Sequence, residues 1–154
     1  MPVSFSLPDP MTKRSVNPYW LHVLLSPWAG LADDNESVME YQSLDPNDEY
    51  AVRQVIRKLV TPYVARIDPI SVGKIKDTYR YYLSKDDSSW ERVFNSLLLP
   101  FDHPMQARDF FVWLWQECFP TEEWHIADLS SYGVMVDIEE PWRTMKIVPE
   151  SPRS

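Results

Sequence analysis

The chain has 154 residues, 44% of them hydrophobic and 25% charged, and its 15 Lys and Arg against 23 Asp and Glu give a formal net charge of -8. This composition is typical of one globular domain, and the 3 Gly, the 7 Trp and the lack of sustained heptads exclude collagen, coiled coil and wholesale disorder. A single cysteine, no secretory signal pattern and no apolar run near the roughly 20 residues that span a bilayer predict a cytoplasmic protein that does not enter the membrane.

The N-terminal part of the sequence predicts an extended arm followed by a short buried helix. Residues 1–17 contain three prolines and no periodic apolar face. Asn17 and Pro18 resemble a helix start, an N-cap followed by proline at the first position, and apolar residues fill the turns before Pro27. So short an apolar run leaves a strand as the alternative. The residues from Gly30 to Leu44 predict an acidic loop.

Two amphipathic helices are predicted next. Asp45 is expected to cap the first of them, with Pro46 at its first helical position. Apolar residues from Val52 to Tyr63 then recur at helical spacing, and Pro62 is expected to kink or end this helix. Ser71 is expected to cap the second helix, which repeats the apolar pattern and turns its basic residues to water.

Two further helices are predicted before the end of the domain. Ser88 and Glu91 have the spacing of a capping box, in which two side chains satisfy exposed backbone N–H groups at a helix start. The segment from Pro104 to Phe119 is apolar on nearly all sides, which predicts the central helix of the fold.

The C-terminal part predicts β-structure. Residues 133–139 are rich in β-branched side chains and residues 144–148 alternate polar and apolar, so a β-hairpin is expected, packed on the helices or on a strand from the N-terminal arm. The predicted fold is α+β: a mainly α-helical single domain of four to five helices with a C-terminal β-hairpin. The globular domain is expected to span residues 18–148, with an extended arm at 1–17 and a short tail at 149–154.

Charge is distributed in blocks along the chain. The run from Leu31 to Tyr50 has a net charge of -7, Ala51 to Arg80 has +5, and Phe101 to Trp142 has -8. One interpretation is that the acidic segments neutralise the basic helices of the same molecule. The other is that an acidic face binds a basic partner, because complementary potentials steer association. With an overall charge of -8, no nucleic acid is expected as a partner, although the basic block leaves that alternative open.

The common catalytic and nucleotide-binding signatures are absent from the sequence. The three glycines do not form a glycine-rich loop, and no CxxC, HExxH or GxSxG motif occurs, so no cofactor and no metal are expected. The titratable residues between 102 and 128 leave a small hydrolase as the alternative function. These residues are Asp102, His103, Cys118, Glu122 and His125, in which a Cys118 thiolate could act as the nucleophile and a histidine as its base.

The leading hypothesis is a non-enzymatic protein-binding module of the inhibitor, immunity or antidote, or adaptor type. It engages a more basic protein through an acidic surface with tryptophan anchors, since Trp is enriched at binding hot spots. The predicted partner-binding residues are Trp28, Asp33, Asp34, Glu36, Asp137, Glu139, Glu140 and Trp142. The sequence does not predict an oligomeric state.

Overall fold

A computed structural model of the protein describes residues 14–31, 44–85, 89–95 and 106–148, which are mostly helical. Its α-helices are α1 (Ser26–Leu31), α2 (Glu49–Val55), α3 (Thr61–Ala65), α4 (Pro69–Lys85), α5 (Ser89–Asn95), α6 (Ala107–Cys118) and α7 (Glu140–Thr144). Two 3-10 helices span Pro18–Leu25 and Leu129–Ser131, and a π-helical turn spans Ile56–Val60. Strands β1 (Arg14–Val16) and β2 (Tyr132–Val134) form a small parallel sheet. The mainly helical α+β fold class is confirmed.

The described residues hold more helical segments than the four to five expected, because two predicted helices are divided. The predicted helix after Pro18 is a 3-10 helix that ends at Leu25, and α1 begins at Ser26. Asn17 caps it as expected, since its side-chain oxygen accepts a hydrogen bond from the Tyr19 N–H at 3.1 Å. Five of its eight residues are buried, so this helix forms one wall of the core.

Two of the predicted helix caps are wrong by a few residues. The cap of α2 is Asp48, whose carboxylate accepts from the Ala51 N–H, whereas Asp45 accepts from the Asn47 N–H in the preceding turn. At α4 the carboxylate of Asp68 accepts from the Ser71 N–H. Ser71 therefore lies inside the first turn instead of capping it. In both cases an Asp three residues from the predicted position accepts the backbone N–H hydrogen bond in the first turn of the helix.

The helix that contains Pro62 continues through the proline by means of the π-helical turn. The Thr61 N–H bonds to the Ile56 carbonyl, five residues back, and α3 then begins with Pro62 in its first turn. Proline cannot donate a backbone hydrogen bond and its ring clashes with the carbonyl four residues earlier. The wider π-turn accommodates the ring, so Pro62 divides the predicted helix into α2 and α3 without reversing the chain.

The core is built around α6, as the sequence predicted. Phe110, Phe111, Leu114 and Trp115 of this helix are buried. An aromatic cluster joins α6 to its neighbours, with ring centroids 4.4 Å apart for Trp90 and Phe111 and 5.9 Å apart for Tyr79 and Phe111. Tilted and edge-on ring contacts of this kind add to the stability that apolar burial provides.

The strands do not form the predicted C-terminal hairpin. β2 pairs in parallel with β1, with Arg14 opposite Tyr132 and Val16 opposite Val134. The expected connection between the two hairpin strands is instead the helix α7, and Ile147 makes an isolated antiparallel bridge with Ile67. Pro141 in the first turn of α7 favours a helix there, and the N-terminal arm supplies the strand that β2 needs.

Several sequence-based expectations lie outside the described residues. They are the acidic loop, whose residues 32–43 are not described, the capping box at Ser88, the segment 96–105 before α6, and the tail at 149–154. Of the arm at 1–17, the structure describes residues 14–17.

Candidate binding surface

The basic block from Ala51 to Arg80 binds acidic side chains of the same molecule. Glu117 of α6 accepts from Arg53 at 2.9 Å and from Arg57 at 2.6 Å, which ties α6 to α2 and the π-helical turn. Glu122 pairs with both Lys76 and Arg80 of α4. Self-neutralisation, the first interpretation of the charge blocks, therefore describes Glu117 and Glu122 of the second acidic block.

These ion pairs change the acidity of the two glutamates. Hydrogen bonds from Arg57 hold the pKa of Glu117 below its usual range, with a further contribution from Arg53. Lys76 has the same effect on the pKa of Glu122. Both carboxylates are therefore ionised at neutral pH, and the cations that they hold are not available to a nucleic-acid phosphate without breaking these pairs.

Trp28 does not belong to the predicted partner-binding surface. Its side chain is 0% exposed, and its ring lies 5.5 Å from that of Phe110 in α6. Trp28 precedes the predicted acidic loop in the sequence, but in α1 its side chain points into the core. It stabilises the fold and is not accessible to a partner.

Glu140 is also largely buried, at 8% exposed. Its carboxylate accepts from the Asn17 amide at 2.8 Å and from the Lys74 ammonium at 2.9 Å. Burial raises the pKa of Glu140, but these hydrogen bonds outweigh it, so the net pKa is below the usual value. Glu140 is therefore a structural residue that joins α7 to α4 and to the end of β1, and its place on the binding surface is withdrawn.

Asp137 is partly used inside the molecule. Its carboxylate accepts from Arg143 at 2.9 Å and from the Glu139 N–H at 3.1 Å. The hydrogen bond from Arg143 is the main reason that the pKa of Asp137 lies below its usual value. Asp137 fixes the start of α7, and its charge is already offset by a neighbouring cation.

Two of the predicted residues remain on an accessible surface. Trp142 is 58% exposed on α7, and Glu139, just before that helix, is exposed as well. Asp33, Asp34 and Glu36 lie outside the described residues. Of the predicted residues that the structure describes, Glu139 and Trp142 are therefore the accessible ones.

Apolar residues next to Trp142 were missed by the sequence analysis. Val134, Met135, Val136 and Ile138 are 47%, 48%, 67% and 60% exposed. The sequence predicts that this β-branched segment is one strand of a hairpin packed on the helices. Among the described residues, however, β2 has no second strand on the side opposite β1. Four exposed apolar side chains within five residues are more than isolated surface hydrophobics would explain.

The backbone of this segment also has an open edge. The Met135 N–H donates to the Val16 carbonyl at 2.9 Å, which continues the pairing of β2 with β1. In a parallel ladder, the backbone N–H and C=O groups of every second residue bond to the same partner strand. Because Met135 bonds to β1, the N–H and C=O groups of Val134 and Val136 face away from β1. β2 itself, Tyr132–Val134, contains no charged side chain and no proline, and an edge strand of this kind is a surface on which another chain can pair.

We name six exposed residues the exposed C-terminal surface: Val134, Met135, Val136, Ile138, Glu139 and Trp142. It combines the open edge of β2, the exposed apolar side chains, Glu139 and Trp142. A cluster of this type provides what a protein interface requires, namely an apolar centre with an aromatic anchor and polar groups beside it.

The titratable cluster of the alternative hydrolase does not support nucleophilic chemistry. Burial raises the pKa of the Cys118 thiol to about 12, so the thiol is protonated at neutral pH. The Glu122 carboxylate already forms ion pairs with Lys76 and Arg80. His125 is exposed on a non-helical segment, so its spacing of three residues from Glu122 does not place the two side chains on one helix face. Asp102 and His103 lie outside the described residues.

Within the ranges that the structure describes, no group of three His, Cys, Asp or Glu side chains is arranged to hold a metal ion. In the same ranges, no helix is long and apolar enough to cross a membrane. Comparison of the chain with protein-family models, with curated proteins and with solved structures finds no significant match.

Proposed function

We propose that this protein is a non-enzymatic protein-binding module of the inhibitor, immunity or antidote, or adaptor type, and that the exposed C-terminal surface contacts its partner. The observation that carries the proposal is the run of exposed apolar side chains that leads to Trp142. Exposed apolar patches with polar surroundings mark interaction sites on globular proteins.

The partner is expected to bury Trp142. An exposed Trp supplies a large apolar area and an N–H donor, and such residues contribute a disproportionate share of binding free energy when a partner excludes water from them. Val136 and Ile138 are more exposed than Trp142 and extend the apolar area along the chain.

The partner is also expected to be more basic than this protein. The described residues hold 14 acidic and 13 basic side chains, so most of the net charge of -8 resides in residues outside the described ranges, including Asp33, Asp34 and Glu36. A negatively charged protein attracts a basic partner over a distance of about a Debye length, which raises the association rate. Glu139 provides an exposed carboxylate at the contact surface itself.

The proposal includes a cytoplasmic location and no nucleic-acid partner. A single half-buried cysteine is compatible with a reducing compartment. Acids of the same chain form ion pairs with Arg53, Arg57, Lys74, Lys76 and Arg80 of the Ala51–Arg80 block. These pairs reduce the positive surface that a phosphate backbone needs.

The experiment has two stages. The tagged full-length protein is first used to capture partners from a lysate of its source at low and at high salt, and the partner retained in stoichiometric amount is purified. Its affinity is then measured by calorimetry for the native protein and for the variants Trp142→Ala, Glu139→Lys and Glu123→Lys. Glu123 is an exposed acid outside the exposed C-terminal surface, so the last variant controls for net charge.

Trp142→Ala is expected to weaken binding by about thirtyfold, the effect of a hot-spot residue. Glu139→Lys is expected to weaken binding more than Glu123→Lys does, and salt should reduce that difference in affinity. Equal affinities for the native protein and the Trp142 and Glu139 variants would contradict the proposed surface.

A further inference from the structure

A cavity of about 390 Å³ lies beside the exposed C-terminal surface. It is open to solvent on one side and is lined by the 3-10 helix Pro18–Leu25, the C-terminal part of α4, the helix α5 and the extended chain at the end of β2. Its volume falls within the range of sites that bind small molecules, which is roughly 300 to 1,000 Å³.

Most of the cavity wall is apolar. Leu21 and Val93 contribute buried side chains from two helices. Val134 and Val136 also line the cavity, and because they are two residues apart on an extended chain their side chains point to the same face. A hydrocarbon chain or a ring in the cavity would therefore contact apolar groups from the helices and from the extended chain.

Arg92 supplies the positive charge in this apolar wall. It lies on α5 and is exposed, and among the described residues no carboxylate pairs with it. The lining that the structure describes includes no Asp or Glu. An arginine guanidinium presents parallel N–H donors that match the two oxygens of a carboxylate.

His22 is the other ionisable nitrogen base of the described lining, and it does not add a second charge. Burial lowers its pKa, and hydrogen bonds to the backbone carbonyls of Tyr19 and Pro18 offset this effect only in part. Its ring stacks on that of Tyr19, with centroids 5.5 Å apart and planes inclined by 18°. The imidazole is held in place as a flat neutral surface, and Arg92 defines the polarity of the cavity.

We propose that this cavity binds a small amphipathic carboxylate, whose apolar body lies between Leu21, Val93 and the two valines and whose carboxylate binds Arg92. The ligand chemistry follows from the one charged residue, Arg92, in a described lining that is mostly apolar. The positive charge selects an anion, and the apolar side chains select an apolar body. This site goes beyond the protein-binding surface, with which it shares Val134 and Val136.

The test uses the full-length protein and four probes that separate the two halves of the ligand. Decanoate has both the apolar chain and the carboxylate, decanol has the chain alone, acetate has the carboxylate alone, and decyltrimethylammonium has the opposite charge. Binding is measured by titration calorimetry and by backbone amide NMR shifts. Decanoate is expected to bind saturably and to shift resonances of the cavity lining, and the three other probes are expected to bind at least tenfold more weakly.

Variants then test whether Arg92 binds the carboxylate of decanoate. Arg92→Gln is expected to weaken decanoate about tenfold and to leave decanol unchanged, because a charge-assisted bidentate contact is lost. Lys146→Gln removes an exposed cation that does not line the cavity and is expected to leave both probes unchanged. Thermal melting checks that Arg92→Gln remains folded, which its exposed position on α5 favours.

A second pair of variants keeps the test independent of Arg92. Val136 is 67% exposed at the cavity rim, so a charged residue is tolerated there. Val136→Asp is expected to weaken decanoate and Val136→Lys to strengthen it. Absence of saturable decanoate binding, equal binding to the native protein and Arg92→Gln, or the same response to both Val136 variants would overturn the proposal.

Partner affinity of Arg92→Gln and decanoate affinity of Trp142→Ala are measured in parallel, so failure of this site is distinguished from failure of the protein-binding surface.

Discussion

Asn17 shows how much of this fold depends on a single buried side chain. Its oxygen caps the first helical segment through the Tyr19 N–H, while its amide donates to the Asp137 carbonyl at 2.7 Å and to Glu140 at 2.8 Å. One side chain therefore starts a helix and joins it to residues 120 positions later in the sequence. The sequence predicted the cap correctly, but it contained no local signal for the two distant acceptors.

Replacement of Asn17 by Ala is expected to lower the free energy of unfolding by about 2 to 4 kcal/mol, because it removes a cap and leaves buried acceptors without donors. The measurement is urea denaturation followed by circular dichroism. Asn95→Ala is the matched control, since Asn95 is exposed on α5, and it is expected to change stability by less than about 0.5 kcal/mol. Equal stabilities of the two variants would show that the Asn17 contacts contribute nothing.

Cys118 illustrates a residue whose chemistry depends on burial. With a pKa of about 12, the thiol in the folded protein is expected to react with iodoacetamide much more slowly at pH 8 than the unfolded chain does. Mass spectrometry of the alkylated protein, with and without denaturant, measures the difference. Rapid alkylation of the folded protein would restore the case for a reactive thiolate.

At the scale of secondary structure, helices were predicted better than their ends and better than the strands. The helices α4 and α6 have long periodic apolar faces, and their existence follows from local sequence. Caps were misplaced at Asp45 and Ser71 because two or more polar residues near each start can bind the same N–H groups. The hairpin was wrong because the partner of β2 is the distant β1, and strand pairing across more than a hundred residues leaves no local pattern.

The ion pairs between helices provide a test at this scale. Glu117→Gln is expected to lower the free energy of unfolding by about 1 to 2 kcal/mol at pH 7, because Arg53 and Arg57 lose their shared carboxylate. Arg57 is largely exposed, which reduces its share through solvent screening. Glu123→Gln serves as the control at an exposed acidic position outside these pairs.

The same variant predicts a pH dependence with a defined sign. The folded-state pKa of Glu117 is below its ordinary value of 4.5, so its contribution to stability is complete above about pH 4.5 and is lost as the pH falls through the folded-state pKa. The stability difference between the native protein and Glu117→Gln is therefore expected to shrink between pH 5 and pH 2. Urea denaturation at a series of pH values measures it, and a difference that stays constant through this range would refute the assignment.

At the scale of the whole molecule, tryptophan content did not distinguish the core from the binding surface. Trp28 and Trp142 both lie next to acidic residues in the sequence, yet Trp28 is 0% exposed and Trp142 is 58% exposed. What separates them is the packing of each helix: Trp28 of α1 lies against Phe110 of α6, whereas α7 is held through Glu140 to Asn17 and Lys74 and leaves Trp142 outside. Val134 and Val136 are exposed, but the sequence did not predict this, because valines in a strand indicate a buried face as readily as an exposed one.

These two tryptophans are expected to respond oppositely to substitution. Trp28→Phe is expected to lower the free energy of unfolding by about 2 kcal/mol or more, because it leaves a cavity beside Phe110. Trp142→Ala is expected to change it by less than about 0.5 kcal/mol, since a surface side chain is removed. Thermal and urea denaturation measure both, and a large loss for Trp142→Ala would indicate a structural role in place of a binding role.

The parallel pairing of β1 with β2 has a consequence for synthesis on the ribosome. Asn17 leaves the exit tunnel well before its acceptor at Asp137, and at about 5 to 20 residues per second the 120 intervening positions take roughly 6 to 24 s to translate. During that interval β1 lacks its strand partner and the buried Asn17 amide lacks its acceptors. The contacts of β1 and Asn17 therefore form only after residues 132–140 have been made, and until then the backbone of β1 is open to pairing with other chains.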